Sequence, residues 1–304
     1  MRALLIALPL VLASPAVASA VVVAPERGHQ VARHLGALVW SERARDGRYH
    51  LTSREGRLPA VAPLDRPFDV DLGTDSRGRV AAVYSRCHEG RRGCRIRLYD
   101  LAARRETALY RGHRPALRQG VLAFARLRGD GRDAIIIRRL GPKGVERRVH
   151  VLPRSLPATT GLDLGAGGLA FSAAGRGTRL WLKPPGRGRV RVLADGAFTR
   201  QSLRVHGSPS FAGRFLYWAY SDRIASRPPN GWAIRRDVRN GRTTASPTPG
   251  YLESLAADAG RPGNPLVIAT FAGNPSRAKP GEDRVATLER PRWGAPPRSL
   301  GVRR

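Results

Sequence analysis

The only two thiols in the chain, Cys87 and Cys94, bracket His88-Glu89-Gly90-Arg91-Arg92-Gly93. They stand at the facing ends of two strand-like runs, Val80–Arg86 and Arg95–Asp100. Pairing across a long hairpin loop is therefore expected, and closing eight residues contributes about 2.5 kcal/mol on the loop-entropy model. The alternative is a metal held with His88, but two thiols and one imidazole leave a tetrahedral site incomplete. Nucleophilic catalysis requires a positioned Ser, Cys or Thr with His and a carboxylate. The chain has no G-x-S-x-G, and His29, His34, His50, His88, His113, His150 and His206 are scattered singly, without an H-x-H or H-E-x-x-H pair. Asp69, Asp71 and Asp75 form a D-x-D-x-x-x-D cluster near Gly78. Calcium would need ligands at alternating positions and a later bidentate Glu, so the three are expected to cap tight turns. Arg128-Gly129-Asp130 reads as a hairpin turn. No catalytic, cofactor-binding or metal residue is assigned and no cofactor is called for, although His residues from different repeats could still converge on one axis.

The elements that would carry these residues are short strands in a repeat. Apolar runs begin at Gly36, Gly78, Gly120, Gly168, Gly213 and Pro265, spaced by 42, 42, 48, 45 and 52 residues. Each is followed by a second strand, and Arg95-Ile96-Arg97-Leu98 and Arg179-Leu180-Trp181-Leu182 alternate with period two, as half-buried strands do. A third run often comes next, as in Arg189-Val190-Arg191-Val192-Leu193. A fourth short piece, such as Phe68-Asp69-Val70-Asp71-Leu72 or Leu162-Asp163-Leu164, precedes the first. Gly, Asp, Asn and Pro build the turns between them. Four short strands in a unit of about 45 residues describe a β-propeller blade. A sandwich would not need so regular a period, and β-helix coils are shorter. The fold class expected is all-β, a single propeller of six blades, with seven as the other count. Val21-Val22-Val23 could close the ring against the C-terminal blade. Phe215-Leu216-Tyr217-Trp218-Ala219-Tyr220 is the densest aromatic patch, read as core packing before a ligand surface. The loops around 226–231 and 273–283 would project from one end of the ring.

The unit Phe68-Asp69-Val70-Asp71-Leu72-Gly73-Thr74-Asp75 … Gly78 … Val83-Tyr84-Ser85 … Ile96-Arg97-Leu98-Tyr99-Asp100-Leu101 … Arg105-Glu106 resembles a blade of the WD40-like, TolB-type β-propellers of exported bacterial proteins. The pattern extends over most of residues 30–300, with later departures: residues 232–237 lack Tyr-Asp-Leu, and Pro265 replaces the glycine. The resemblance implies a binding or scaffold role, because the group is mostly known for protein contacts.

Composition and the N-terminus bear on compartment and partner. Met1-Arg2, the apolar run from Ala3 to Leu12, and Ala18-Ser19-Ala20 match a secretory signal peptide cleaved after Ala20, leaving residues 21–304 as the propeller domain. Ten apolar residues fall well short of the roughly 20 that span a bilayer, and no transmembrane segment is expected after signal removal. Export also suits a disulfide. Lys and Arg total 54 against 23 acids, a formal charge of +31, and only Lys143, Lys183 and Lys279 are lysines. Arginines spread over the whole chain fit the solvated faces of blades better than a recognition stripe. They still bias the protein toward anionic polymers. The reading is a secreted, non-enzymatic propeller at the cell envelope whose partner is a protein or an anionic envelope polymer. The alternative is a propeller hydrolase or lyase acting on an anionic polysaccharide. Nucleic-acid binding rests on charge alone and conflicts with export; the oligomeric state is not legible.

Overall fold

The computed structural model describes residues 21–24, 28–87, 90–199, 202–224, 230–248, 251–257, 266–271, 283–288, 291–297 and 300–301. The expected signal peptide, with its cleavage position at Ala20, lies outside them, as do His88 and most of the two loops around 226–231 and 273–283.

The strands group into antiparallel four-stranded meanders. The first blade holds β2 (Gly28–His34), β3 (Ala37–Arg43), β4 (Tyr49–Ser53) and β5 (Gly56–Arg57), after β1 (Val21–Ala24). The second holds β6 (Asp71–Thr74), β7 (Val80–Arg86), β8 (Arg95–Asp100) and β9 (Arg105–Arg111). The third holds β10 (His113–Arg118), β11 (Val121–Leu127), β12 (Asp133–Arg139) and β13 (Arg147–Val151). The fourth holds β14 (Ala158–Gly165), β15 (Gly168–Ala174), β16 (Gly177–Lys183) and β17 (Arg191–Ala197). The fifth holds β18 (Ser202–Ala212), β19 (Phe215–Ile224), β20 (Asn230–Asp237) and β21 (Thr243–Thr248). The remaining strands are β22 (Tyr251–Ala256), β23 (Leu266–Phe271) and β24 (Asp283–Leu288).

The expectation of six blades, or seven, is corrected here. Five blades are built from four consecutive strands each; the remaining sheet is a composite, ordered β1-β24-β23-β22, and takes its outer strand from the N-terminal side. The reason is that the last repeat contributes three strands and then leaves the sheet. Gly294 exchanges backbone hydrogen bonds with Ala245 of the fifth blade at 2.8 and 3.0 Å, Asp195 N–H of the fourth blade donates to Gly301 O at 3.3 Å, and Leu300 is buried in the core. Val21 pairs instead with Thr287, and Val22 with Ala286, which closes the ring. No seventh sheet occurs among the described residues.

The apolar runs that begin at Gly36, Gly78, Gly120, Gly168, Gly213 and Pro265 are the second strands, β3, β7, β11, β15, β19 and β23. The first five are each sandwiched between neighbouring sheets, which is why both of their faces are apolar. In β19, Leu216, Trp218 and Tyr220 join one buried cluster with Leu180, Leu182 and Leu193 of the fourth blade. Tyr217 and Ala219 face the other way, onto Leu255 and Ala257. The aromatic patch is thus core on both sides. At about 25 cal/mol per Å² of buried apolar surface, such two-sided burial is the main stabilising term of the ring. Two hairpins use two-residue turns with both residues at positive φ, Leu35-Gly36 (48° and 85°) and Gln119-Gly120 (46° and 70°), the turn type whose twist matches the flanking strands.

Candidate functional site

The first strand of every sheet, β2, β6, β10, β14, β18 and β22, touches the next in a closed ring. Together they enclose an axial cavity of about 310 Å³. The short pieces around Asp71 and Asp163 prove to be these innermost strands. Asp71 lies opposite Val83, two residues before the buried Ser85, and Asp163 lies opposite Ala170, two before the buried Ser172. They are equivalent positions two blades apart, each opening an Asp-Leu-Gly triplet.

Both carboxylates are committed to the following blade. Leu117 N–H donates to Asp71 Oδ2 at 2.8 Å. Phe211 N–H donates to Asp163 Oδ2, and Leu164 N–H to Asp163 Oδ1 at 2.6 Å. Hydroxyls continue the pattern: Ser210 Oγ accepts from Ala257 N–H at 3.0 Å, and Ser254 Oγ from Val31 N–H at 3.3 Å. Burial, and then the charge of Asp163, push the Asp71 carboxyl well above the usual carboxylate range. Burial pushes Asp163 up to about 7, against its N–H donors and the Arg118 charge. The pair therefore holds protons at pH values where ordinary carboxyls have lost them.

The D-x-D-x-x-x-D cluster divides by role. Asp75 caps its turn as expected, accepting from Arg77 and Arg79 N–H at 2.8 and 2.9 Å. Asp69 and Asp71 instead stitch two blades: Asp69 accepts from Ser85 N–H at 2.6 Å and from Arg114 N–H at 2.7 Å. The signal that could have exposed this is the recurrence of Asp-Leu-Gly at 71–73 and 163–165. Arg128-Gly129-Asp130 is a hairpin tip, with Asp130 bonded to Arg132. Three of the histidines have packing or hydrogen-bonding roles. His113 Nε2 lies 3.2 Å from Asp133, His206 Nδ1 accepts from Trp218 Nε1–H at 3.2 Å, and the His150 ring packs on Phe171 and Trp181. Among the described residues no three His, Cys, Asp or Glu side chains are placed to hold a metal ion.

Cys87 and Cys94 form the disulfide, and its hairpin carries the second feature. Arg91 reaches across to the third blade, where it meets Asp133 and donates to Pro157 O, both at 3.1 Å. Beside it a groove of about 850 Å³ runs between the second and third blades, with Arg92, Arg95, Arg111 and Tyr110 on its walls. Arg126 of the groove is neutralised by two hydrogen bonds to Glu146, at 2.7 and 2.8 Å. Arg92, Arg95 and Arg111 are exposed and meet no carboxylate among the described residues. Sequence reasoning missed these three because each is one of many arginines; only the fold aligns Arg95 opposite Arg111.

No protein-family model and no curated protein sequence matches the chain. Among solved structures, the fucose-specific lectin from Aleuria aurantia is 8% identical with a TM-score of 0.50, over 87% of this chain and 98% of that one. An oligogalacturonate lyase in complex with manganese is 14% identical at a TM-score of 0.48, over 80% and 69%. The β-propeller domain of the Trilobed protease from Pyrococcus furiosus is 10% identical at 0.45, over 77% and 70%. The lectin likeness shows the fold, a β-propeller, and nothing finer.

Proposed function

We propose that the protein is a non-enzymatic binding propeller of the exported, TolB-like kind, and that it holds an anionic polymer in the groove beside the disulfide hairpin. The observation that carries this reading is the trio Arg92, Arg95 and Arg111, exposed along one groove and paired with no carboxylate among the described residues. Guanidinium groups offer forked donors that match carboxylate and phosphate oxygens, and Tyr110 supplies a ring beside them. The disulfide suits an oxidising compartment, and no helix among the described residues is long and apolar enough to cross a membrane. The test is binding to immobilised polygalacturonate and to heparin across a salt series. Affinity should fall steeply with salt, and the R92Q/R95Q/R111Q variant should lose about tenfold or more. Unchanged affinity in that variant overturns the reading, as does a protein that keeps residues 1–20 and stays in the cytoplasm of its host.

A second reading, an enzyme acting on an anionic polysaccharide, is favoured by the raised Asp71 and Asp163 carboxyls on the axial cavity. It ranks second because both groups already serve the blade junctions. An Asp163→Asn variant that abolishes a measured lyase or hydrolase activity while staying folded would reverse the order.

A further inference from the structure

Four buried acids, Asp75, Asp100, Asp133 and Asp237, each meet an arginine guanidinium, at 2.8, 2.7, 3.1 and 3.2 Å. Asp71 and Asp163 differ. In a chain with 54 basic residues, neither carboxylate has a cation within ion-pair distance among the described residues. Both side chains are only half-buried, and the surface they keep lies on the axial cavity of about 310 Å³.

Arg118 lines the same cavity and is half-buried too. Burial raises the Asp163 carboxyl and the Arg118 charge opposes that rise, which puts the two within electrostatic reach. They nevertheless form no ion pair, and the Arg118 guanidinium meets no other carboxylate among the described residues. A gap thus separates one cation from two acids that lack a countercharge, and Leu72, Leu117 and Leu164 add apolar wall around it. With no third His, Cys, Asp or Glu placed beside them among the described residues, the two carboxylates make no metal site. An organic ammonium group supplies the countercharge that favours their ionised form. A ligand with an ammonium alone would leave Arg118 unanswered, and one with a carboxylate alone would leave the acids so. A molecule carrying both answers all three, in a cavity of small-ligand size.

We propose that the axial cavity binds a small zwitterion with an apolar body, its ammonium group held by Asp71 and Asp163 and its carboxylate by Arg118. The site asks no chemistry of the two acids. It is separate from the groove between the second and third blades, and neither proposal needs the other.

The test uses the full chain at about pH 8, above the value of about 7 to which Asp163 is raised, followed by calorimetry or ligand-observed NMR. Norleucine and 6-aminohexanoate are isomers that carry both charges at different spacings; hexylamine carries only the cation and hexanoate only the anion. At least one of the two isomers should bind saturably, and about tenfold or more tighter than either single-charge probe. Asp163→Asn keeps an oxygen for Phe211 N–H, and Arg118→Gln breaks no ion pair among the described residues. Each should weaken that isomer by about tenfold or more. The proposal is overturned if neither isomer binds by about 10 mM, a level that would register even a weak complex. It is overturned equally if hexylamine or hexanoate binds as tightly, or if either variant binds the isomer as the parent does. None of the probes has a glycosidic bond, so these outcomes leave the enzymatic reading to its own test.

Discussion

The guanidinium of Arg91 lies 3.1 Å from the carboxylate of Asp133, which has no exposed surface at all. One residue belongs to the disulfide hairpin of the second blade and the other to β12 of the third. The same carboxylate lies 3.2 Å from His113 Nε2 and accepts from Thr159 N–H of the fourth blade at 2.8 Å. A single buried acid thus joins three blades. Burial works to raise its pKa, yet the His113 and Thr159 hydrogen bonds and the Arg91 charge outweigh that and hold it below the usual carboxylate range.

Removing this acid is expected to be costly. Asp133→Ala leaves Arg91, His113 and an inward N–H without their partner, a class of change that costs about 3–5 kcal/mol. Because the folded pKa is depressed, the contribution is present above the unfolded value and is lost as pH falls through the folded one. Urea denaturation should show a midpoint shift in the variant that is large at pH 7 and shrinks toward pH 3.

The hairpin that delivers Arg91 depends on its disulfide. Replacing Cys87 and Cys94 by Ser should lower stability by about 2.5 kcal/mol through loop entropy. Retention on immobilised polyanion should weaken as well, because Arg92 and Arg95 flank Cys94. A double Ser variant equal to the parent in both measurements would mean that the turn and the Arg91–Asp133 pair alone shape the groove.

Two buried groups should oppose one another in acid. Asp163 has its folded pKa raised to about 7, so the native state binds the extra proton. Its contribution is fully present below the unfolded value near 3.8 and is lost as pH rises toward 7. His206 is the reverse case, lowered to about 4 chiefly by burial; it contributes above its unfolded value near 6.5 and loses that as pH falls toward 4. Each spans a few kcal/mol, so His206 should offset part of the loss that Asp163, together with Asp71, whose carboxyl is raised in the same direction, gives as pH rises from 4 to 7. Asp163→Asn keeps an oxygen for Phe211 N–H and should make the loss of stability toward neutral pH smaller. His206→Asn should unmask a fall toward neutral pH. A thermal melt series at five pH values separates the two.

The sequence carried the strands far better than the contacts between blades. Runs such as Arg95-Ile96-Arg97-Leu98 alternate because one face of β8 is less covered, and that pattern is local. The role of Asp71 is set by Leu117, and that of Asp163 by Phe211, partners 46 and 48 residues away. An acid beside glycine and aspartate therefore looks like a turn cap until the ring is closed. Nothing within residues 265–289 marks the last repeat as short of a strand; the closing role expected of Val21-Val22-Val23 was legible only at the other end of the chain, and Val21 does pair with Thr287. The cysteine pairing was legible because both ends of the hairpin are near in sequence. The groove was not, because Arg95 and Arg111 are indistinguishable from their many neighbours until β8 and β9 pair.

The Asp-Leu-Gly triplet suggests why a glycine accompanies the acid. For Leu117 N–H to reach Asp71, the innermost strands of two blades must approach closely, and a Cβ at Gly73 would overlap the Leu117 carbonyl. A backbone carbonyl held in a sheet cannot move aside, so Gly73→Ala should cost about 3 kcal/mol or more. Gly78, in the turn of the same blade, faces open space but has a φ of +77°. Its change to Ala should cost only the left-handed backbone term of about 1 kcal/mol. If close approach were unimportant, the order would reverse, since Gly73 has no conformational need for glycine. Urea midpoints of the two variants decide between these. In Gly73→Ala the Asp71–Leu117 bond should also fail, and with it the burial that keeps Asp71 protonated.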